Sequence, residues 1–238
     1  MVVPGTMQIG RQFGFLLSHN FVIMRRTRPV ASLRREIMSY LDDSLTNLTE
    51  FEGVVPWMYL DTKGLVTVGV GQMLPDAASA QSLAFTDPSG QPATQDAIQS
   101  DYDRVSALAP GKAPGFYHTS TSLVLPDPAI DMLLMKRVTD FDDQLRERFQ
   151  AYASFPDPAK LGLLDMIYNL GRDGLFQHFP HFMAAVDKQD WLAAAANCHR
   201  VGPSQARNDW TRQQFLAAAA GSTPADSDPE PAASTGGS

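Results

Sequence analysis

The sequence predicts an α+β protein that is mostly helical and carries one small sheet. Three observations predict it. Apolar residues recur at three- and four-residue steps over 37–51 and 130–149, the mark of helices with one buried face. Residues 160–170 are apolar on nearly every side, which suits a helix at the centre of a domain. One short β-branched run with glycines, 65–71, supplies the strand signal. The 238 residues suffice for one domain with extensions or for two small domains, and a hydrophobic content of 44% allows an ordinary buried core.

Residues 1–32 read as an N-terminal extension. Its apolar runs, 13–17 and 21–24, are divided by Ser18, His19 and Asn20. Neither run is long enough to span a membrane. Arg25 and Arg26 follow the apolar part, whereas a secretory signal puts its basic residues first. A single domain is expected over 33–220. Its first helix carries Ile37, Tyr40, Leu41, Leu45, Leu48 and Phe51 on one face. Gly53 sits where a C-cap glycine would, a short loop follows, and the glycine-rich strand comes next.

Residues 75–128 are rich in Pro, Ala, Ser, Asp and Gly. Within them, 94–108 suits a helix with Thr94 as its N-cap, and 110–115 a loop. A helix over 128–149 follows, with Asp127 as N-cap and Pro128 in the first helical position. Pro156 and Pro158 break it before the apolar helix 160–170. Further helices are expected over 179–186 and 190–198. Residues 221–238 have no large apolar side chain, bury no core, and are expected to be disordered.

The chemistry concentrates in 48–74. Glu52 falls in the last turn of the first helix, where the dipole disfavours a negative charge. Asp61 opens the turn Asp61-Thr62-Lys63-Gly64 and is expected to stay solvated and charged. Two carboxyls in contrasting environments, one suited to give a proton and one to stay charged, are what glycoside hydrolysis needs. Thr67 adds a hydroxyl five residues beyond the turn's first residue. The glycines at 69 and 71 would let a backbone or a sugar approach closely.

Glu52-Gly53, then Tyr59 to Gly64, then Thr67-Val68-Gly69-Val70-Gly71, resembles the active-site signature of the phage-type lysozymes, the endolysin and autolysin muramidases. The resemblance covers residues 33–220 and is weakest over 75–128, a stretch longer than the family's usual connection. It implies a lysozyme-like fold, with a small β-hairpin lobe and a larger helical lobe. It implies inverting hydrolysis of the β-1,4 bond between N-acetylmuramic acid and N-acetylglucosamine, with Glu52, Asp61 and Thr67 as catalytic residues. By the same match Tyr168 and Asn169 end the central helix at the sugar cleft, Gln72 replaces a common histidine on the substrate side, and Arg207 pairs with Glu52. The plainer alternatives are a C-terminal turn residue for Asn169 and a solvated arginine for Arg207. For 75–128 the choices are a lid, a partner-binding surface or passive decoration.

The net charge of −7 and pI near 5.1 argue against non-specific nucleic-acid binding. The single cysteine, Cys198, excludes an internal disulfide framework and reads as a buried thiol before a catalytic one. The five histidines form no ligand-spaced cluster with other donors, and the muramidase reading that the resemblance implies needs neither a metal nor an organic cofactor. The expected partners are peptidoglycan glycan strands, and a monomer is expected. Made in the cytoplasm without a clear signal peptide, the enzyme would act in the cell wall after release. The unusual N-terminus, the 75–128 stretch and the acidic balance favour an antibacterial effector carried by a secretion machine, with an immunity protein as partner, over a holin-released endolysin. A non-catalytic lysozyme-fold module of a phage tail or secretion apparatus is the competing class.

Overall fold

The computed structural model describes residues 30–221, with side chains from residue 40. The N-terminal extension up to residue 29 and the tail from residue 222 lie outside the described residues. The first helix, α1 (Val30–Glu52), reaches three residues into the expected extension. Tyr40, Leu41 and Leu48 are buried, Leu45 packs beside them, and Phe51 sets its ring edge-on to Trp210 at 5.5 Å. The helix stops because Gly53 turns left-handed at φ +72°, where its N–H still reaches the Thr49 carbonyl at 3.1 Å.

Where the sequence suggested a loop, the chain forms a strand, β1 (Val55–Leu60). Met58 and Leu60 are buried while Val55, Trp57 and Tyr59 are half-buried. Pro56 hides this strand in the sequence, but β1 is an edge strand, where a missing N–H is tolerated. It pairs antiparallel with β2 (Val66–Gly69), placing Tyr59 opposite Thr67, and β2 pairs with β3 (Gln72–Met73). The described residues thus form a mostly helical α+β structure with a three-stranded antiparallel sheet.

Residues 75–128 fold into a packed unit. It holds α2 (Ala77–Gln81), α3 (Gln95–Ser106) and α4 (Pro114–His118) around Phe85, Ile98, Val105, Tyr117 and Leu123. Thr94 caps α3 through the Ala97 N–H, as its sequence suggests. Buried Asp101 accepts the N–H groups of Ser122 and Leu123, both at 2.9 Å, and pairs with Arg104. The unit is bonded to the sheet: Leu125 N–H to the Pro56 carbonyl at 2.7 Å, and Trp57 Nε1 to the Pro114 carbonyl at 3.0 Å.

Helix α5 (Asp127–Arg148) starts one residue before the expected boundary. Pro126, with φ −63°, is the cap and makes no side-chain bond; Asp127 instead sits in the first turn, where the dipole favours an acid. A 3-10 turn, Tyr152–Ser154, leads to α6 (Asp157–His178); with Pro158 in its opening turn it starts three residues before the expected boundary, and a second helical stretch follows the expected end at Leu170. Gly171, at φ 71° and ψ 169°, interrupts it after the apolar part. Helices α7 (Pro180–Asp187), α8 (Trp191–Asn197) and α9 (Gln205–Gly221) complete the described chain. Leu163, Leu164, Met166 and Ile167 put α6 at the centre of the core. Gly162 lets α9 lie close: a Cβ there would stand 2.7 Å from the Phe215 ring. None of the described helices is long and apolar enough to cross a membrane.

Candidate active site

Glu52, at the end of α1, lies on a groove of about 470 Å³ lined also by Phe51, Asn169, Leu170, Ser204 and Arg207. Three separate helices bring it together: α1 supplies the acid, α6 sets Asn169 beside it just before the Gly171 break, and α9 supplies Arg207. Arg207 Nη1 donates to Glu52 Oε1 at 2.7 Å. The same guanidinium donates through Nε to Asp165 Oδ1 at 2.8 Å. Burial alone would lower the Arg207 pKa, but Asp165 and then Glu52 outweigh it and hold it above its ordinary value.

Asp61 is fixed by its own turn. Its Oδ1 accepts the N–H groups of Lys63 at 2.8 Å and Leu65 at 2.9 Å. The Leu65 carbonyl in turn accepts the Asp61 N–H and the Thr67 hydroxyl, both at 3.0 Å. One residue's backbone therefore ties Asp61 to Thr67. Thr67 is only 3% exposed. Tyr59, opposite Thr67 in the sheet, links this end to the other: burial pushes its hydroxyl pKa up, and the charges of both Asp61 and Glu52 push it further. Pro110 of the 75–128 unit rests on the same turn, 3.4 Å from where a Cβ of Gly64 would be.

Tyr168 is buried and does not line the Glu52 groove; it borders a small cavity with Val70, Gln72 and Arg137, and its hydroxyl donates to the Val70 carbonyl at 2.5 Å. Burial pushes its pKa up to about 12, with Arg137 opposing and Glu52 adding to the rise. Gln72 also lies away from the Glu52 groove. It lines a groove of about 590 Å³ between β3 and α5, with Leu74, Arg137 and Phe141, and its amide donates to the Met73 carbonyl. Arg137 anchors that corner: it donates to the Gly71 carbonyl at 2.8 Å and stacks over Tyr168. Gly69 is approached by Ile130 of α5, 3.3 Å from where a Cβ would be.

Cys198 is buried and burial raises its thiol pKa, while His199 is exposed, so no activated Cys–His pair forms there. No three of His, Cys, Asp and Glu converge to hold a metal among the described residues. A larger open groove, about 850 Å³, runs between α1 and α5, but Leu45, Met132, Leu134 and Met135 dominate it. Chemistry, and not size, selects the Glu52 groove.

The residues that sequence reasoning missed are Asp165, Arg200, Thr211 and Asn208. Asp165 left a signal, since a lone acid in an otherwise apolar helix must be paired. Arg200 left none. Compared with known proteins, the chain matches no family model and has no significant match among curated protein sequences.

Proposed function

We propose that this chain is a peptidoglycan muramidase with a lysozyme-like fold, the small sheet forming one lobe and the helices the other. The observation that carries the reading is the Glu52 end: a carboxyl at a helix terminus, held by Arg207 on an open groove, with Tyr59 within electrostatic reach of both Glu52 and Asp61. Glu52 Oε1 takes the bond from Arg207, which leaves Oε2 to carry a proton to the glycosidic oxygen. The bonds to Asp61 end on Oδ1, which leaves Oδ2 to take a proton from water. The Thr67 proton is committed to the Leu65 carbonyl, so its oxygen serves as an acceptor that orients the water. Attack from the face opposite the leaving oxygen gives inversion. Asn169, on the wall of the same groove, would bond the sugar. The enzyme would meet its substrate in the cell wall after release or secretion.

The test is digestion of purified sacculi. Wild-type protein should release disaccharide-peptides with reducing N-acetylmuramic acid ends, seen by mass spectrometry. Glu52→Gln should stay folded and lose about a hundredfold or more of the rate. Anhydro-muramic ends would instead mean a lytic transglycosylase. Turnover by Glu52→Gln equal to wild type would remove Glu52 from the chemistry. No turnover by wild type would favour the non-catalytic module.

A further inference from the structure

The Arg207 that holds Glu52 is itself held from inside the protein. Asp165 is 3% exposed, on the central helix α6. Its Oδ1 accepts from Arg207 Nε at 2.8 Å, and its Oδ2 accepts from Arg200 Nη2 at 2.6 Å. Thr211 Oγ1 stands 2.6 Å from the same Oδ2, accepts from Arg200 Nη2 at 2.7 Å, and reaches the Arg207 carbonyl at 2.9 Å. Arg200 is 1% exposed and also donates to the Asp165 carbonyl at 3.1 Å. Asn208 closes the cluster by pairing with both the N–H and the carbonyl of Arg200. Arg207 Nη2 and Arg200 Nε have no hydrogen-bond partner among the described residues, so the side-chain hydrogen bonds of Arg207 run to Asp165 and Glu52, with the Phe51 ring 5.5 Å from the guanidinium.

The charges matter as much as the bonds. Arg207 and Arg200 contribute two positive charges, and Asp165 cancels one. Glu52 therefore faces a net charge of about one from this cluster, with Tyr59 and Tyr168 as the other groups in electrostatic reach. Without Asp165 it would face about two, and a carboxyl facing two cations gives up its proton far less usefully. The Arg207 guanidinium would then keep only its bond to Glu52 and its face against Phe51, and would lose the bond that holds it from the core side.

We propose that Asp165 is a positioning residue for Glu52: it braces the Arg207 guanidinium from within the helical core and offsets one of the two buried positive charges behind the acid. This rests on the muramidase reading, and the two are tested apart.

The experiment is the pH profile of sacculus hydrolysis for three variants. Asp165→Asn adds one net positive charge behind Glu52; its alkaline limb should move down by about one pH unit, with at least a tenfold loss of rate at neutral pH. Arg200→Gln removes one positive charge; its alkaline limb should move up. The double variant restores the net charge, and its limb should return close to wild type. Should Asp165→Asn fail to fold, the upward shift of Arg200→Gln and the return in the double variant carry the test. All three variants sharing the wild-type profile would overturn the proposal. Independently of any activity, the Arg207 Nε–H signal in ¹H–¹⁵N spectra should be protected from solvent exchange in wild type and lose that protection in Asp165→Asn. Equal protection in both would overturn the bracing role. If wild type shows no hydrolysis, the muramidase reading fails while this spectrum still judges the bracing.

Discussion

Two buried carboxylates, Asp142 and Asp165, are satisfied in similar ways and lead to different places. Asp142 on α5 accepts the Tyr40 hydroxyl at 2.8 Å, the Tyr152 hydroxyl at 2.7 Å and Arg146 Nε at 2.7 Å. Arg146 also donates to the Tyr40 hydroxyl at 2.7 Å, so the bonds close on themselves among α1, α5 and the 3-10 turn. Asp165 collects two cations and one hydroxyl where Asp142 has one cation and two hydroxyls, and one of its cations continues outward to Glu52. Burial and full hydrogen bonding therefore do not mark a site. What separates the two is whether the chain of bonds ends inside the core or at a groove.

The largest effect that would test this contrast is the removal of Asp142. Asp142→Ala leaves two buried tyrosine hydroxyls and a half-buried arginine without their acceptor. A stability loss of about 3–5 kcal/mol is expected from breaking such a cluster on one side. Urea unfolding followed by circular dichroism measures it. The hydrolysis rate of the protein that remains folded at low temperature should stay within about twofold of wild type. A rate loss like that of a Glu52 variant would show that the Asp142 cluster also reaches the groove, and the contrast would fail.

Alkali should separate the clusters by a smaller amount. Tyr168, on the Glu52 side, is held to about pH 12 by burial, and its hydroxyl keeps its proton where an unfolded tyrosine near pH 10 has lost it. A group that binds its proton more tightly when folded contributes fully below the unfolded value and loses its contribution as pH rises to the folded one. The Tyr168 share, about 2–3 kcal/mol, should thus be present up to about pH 10 and gone by about pH 12. Tyr40 and Tyr152 are raised in the same direction, by burial first and then by Asp142. Unfolding titrations should show stability falling above about pH 10, less steeply between about pH 10 and 12 in Tyr168→Phe. An unchanged slope in that variant would assign the alkaline loss to the Asp142 side alone.

Much of the helical frame was legible because its signals are local. The stripe Tyr40, Leu41, Leu48 and the glycine at 53 fix where α1 faces and where it stops, and Thr94 fixes the start of α3. Strand β1 was hidden because Pro56 argues against a strand unless the strand is known to be at an edge, and edge position is a property of the whole sheet. The placement of Arg207 beside Glu52 was expected only from the family resemblance. Asp165 could have been flagged as an acid among apolar residues, but its partner could not. Arg200 lies between α8 and α9 in a stretch with no periodic pattern, and only the packing of α6 against α9 brings it to the acid. Apart from α3, the 75–128 unit was hard to read for a related reason. Outside α3 its core is assembled from single apolar residues spread over short elements, so neither α2 nor α4 declares a wide buried face.

The smallest expected effect concerns the residue that ends α1. Gly53 adopts φ +72°, and a Cβ at that position would meet nothing within 4 Å. The cost of Gly53→Ala is therefore conformational alone, about 1 kcal/mol, and Gly53→Asn should cost less because asparagine tolerates the left-handed region better. Asp142 and its partners share no contact with this turn, so the losses from Gly53→Ala and Asp142→Ala should add to within about 0.5 kcal/mol in the double variant. Urea unfolding of the three proteins gives the answer. A coupling above about 1 kcal/mol would mean that the helix end carrying Glu52 and the closed cluster midway along α1 respond as one unit, and the separation between the two ends of the molecule would have to be given up.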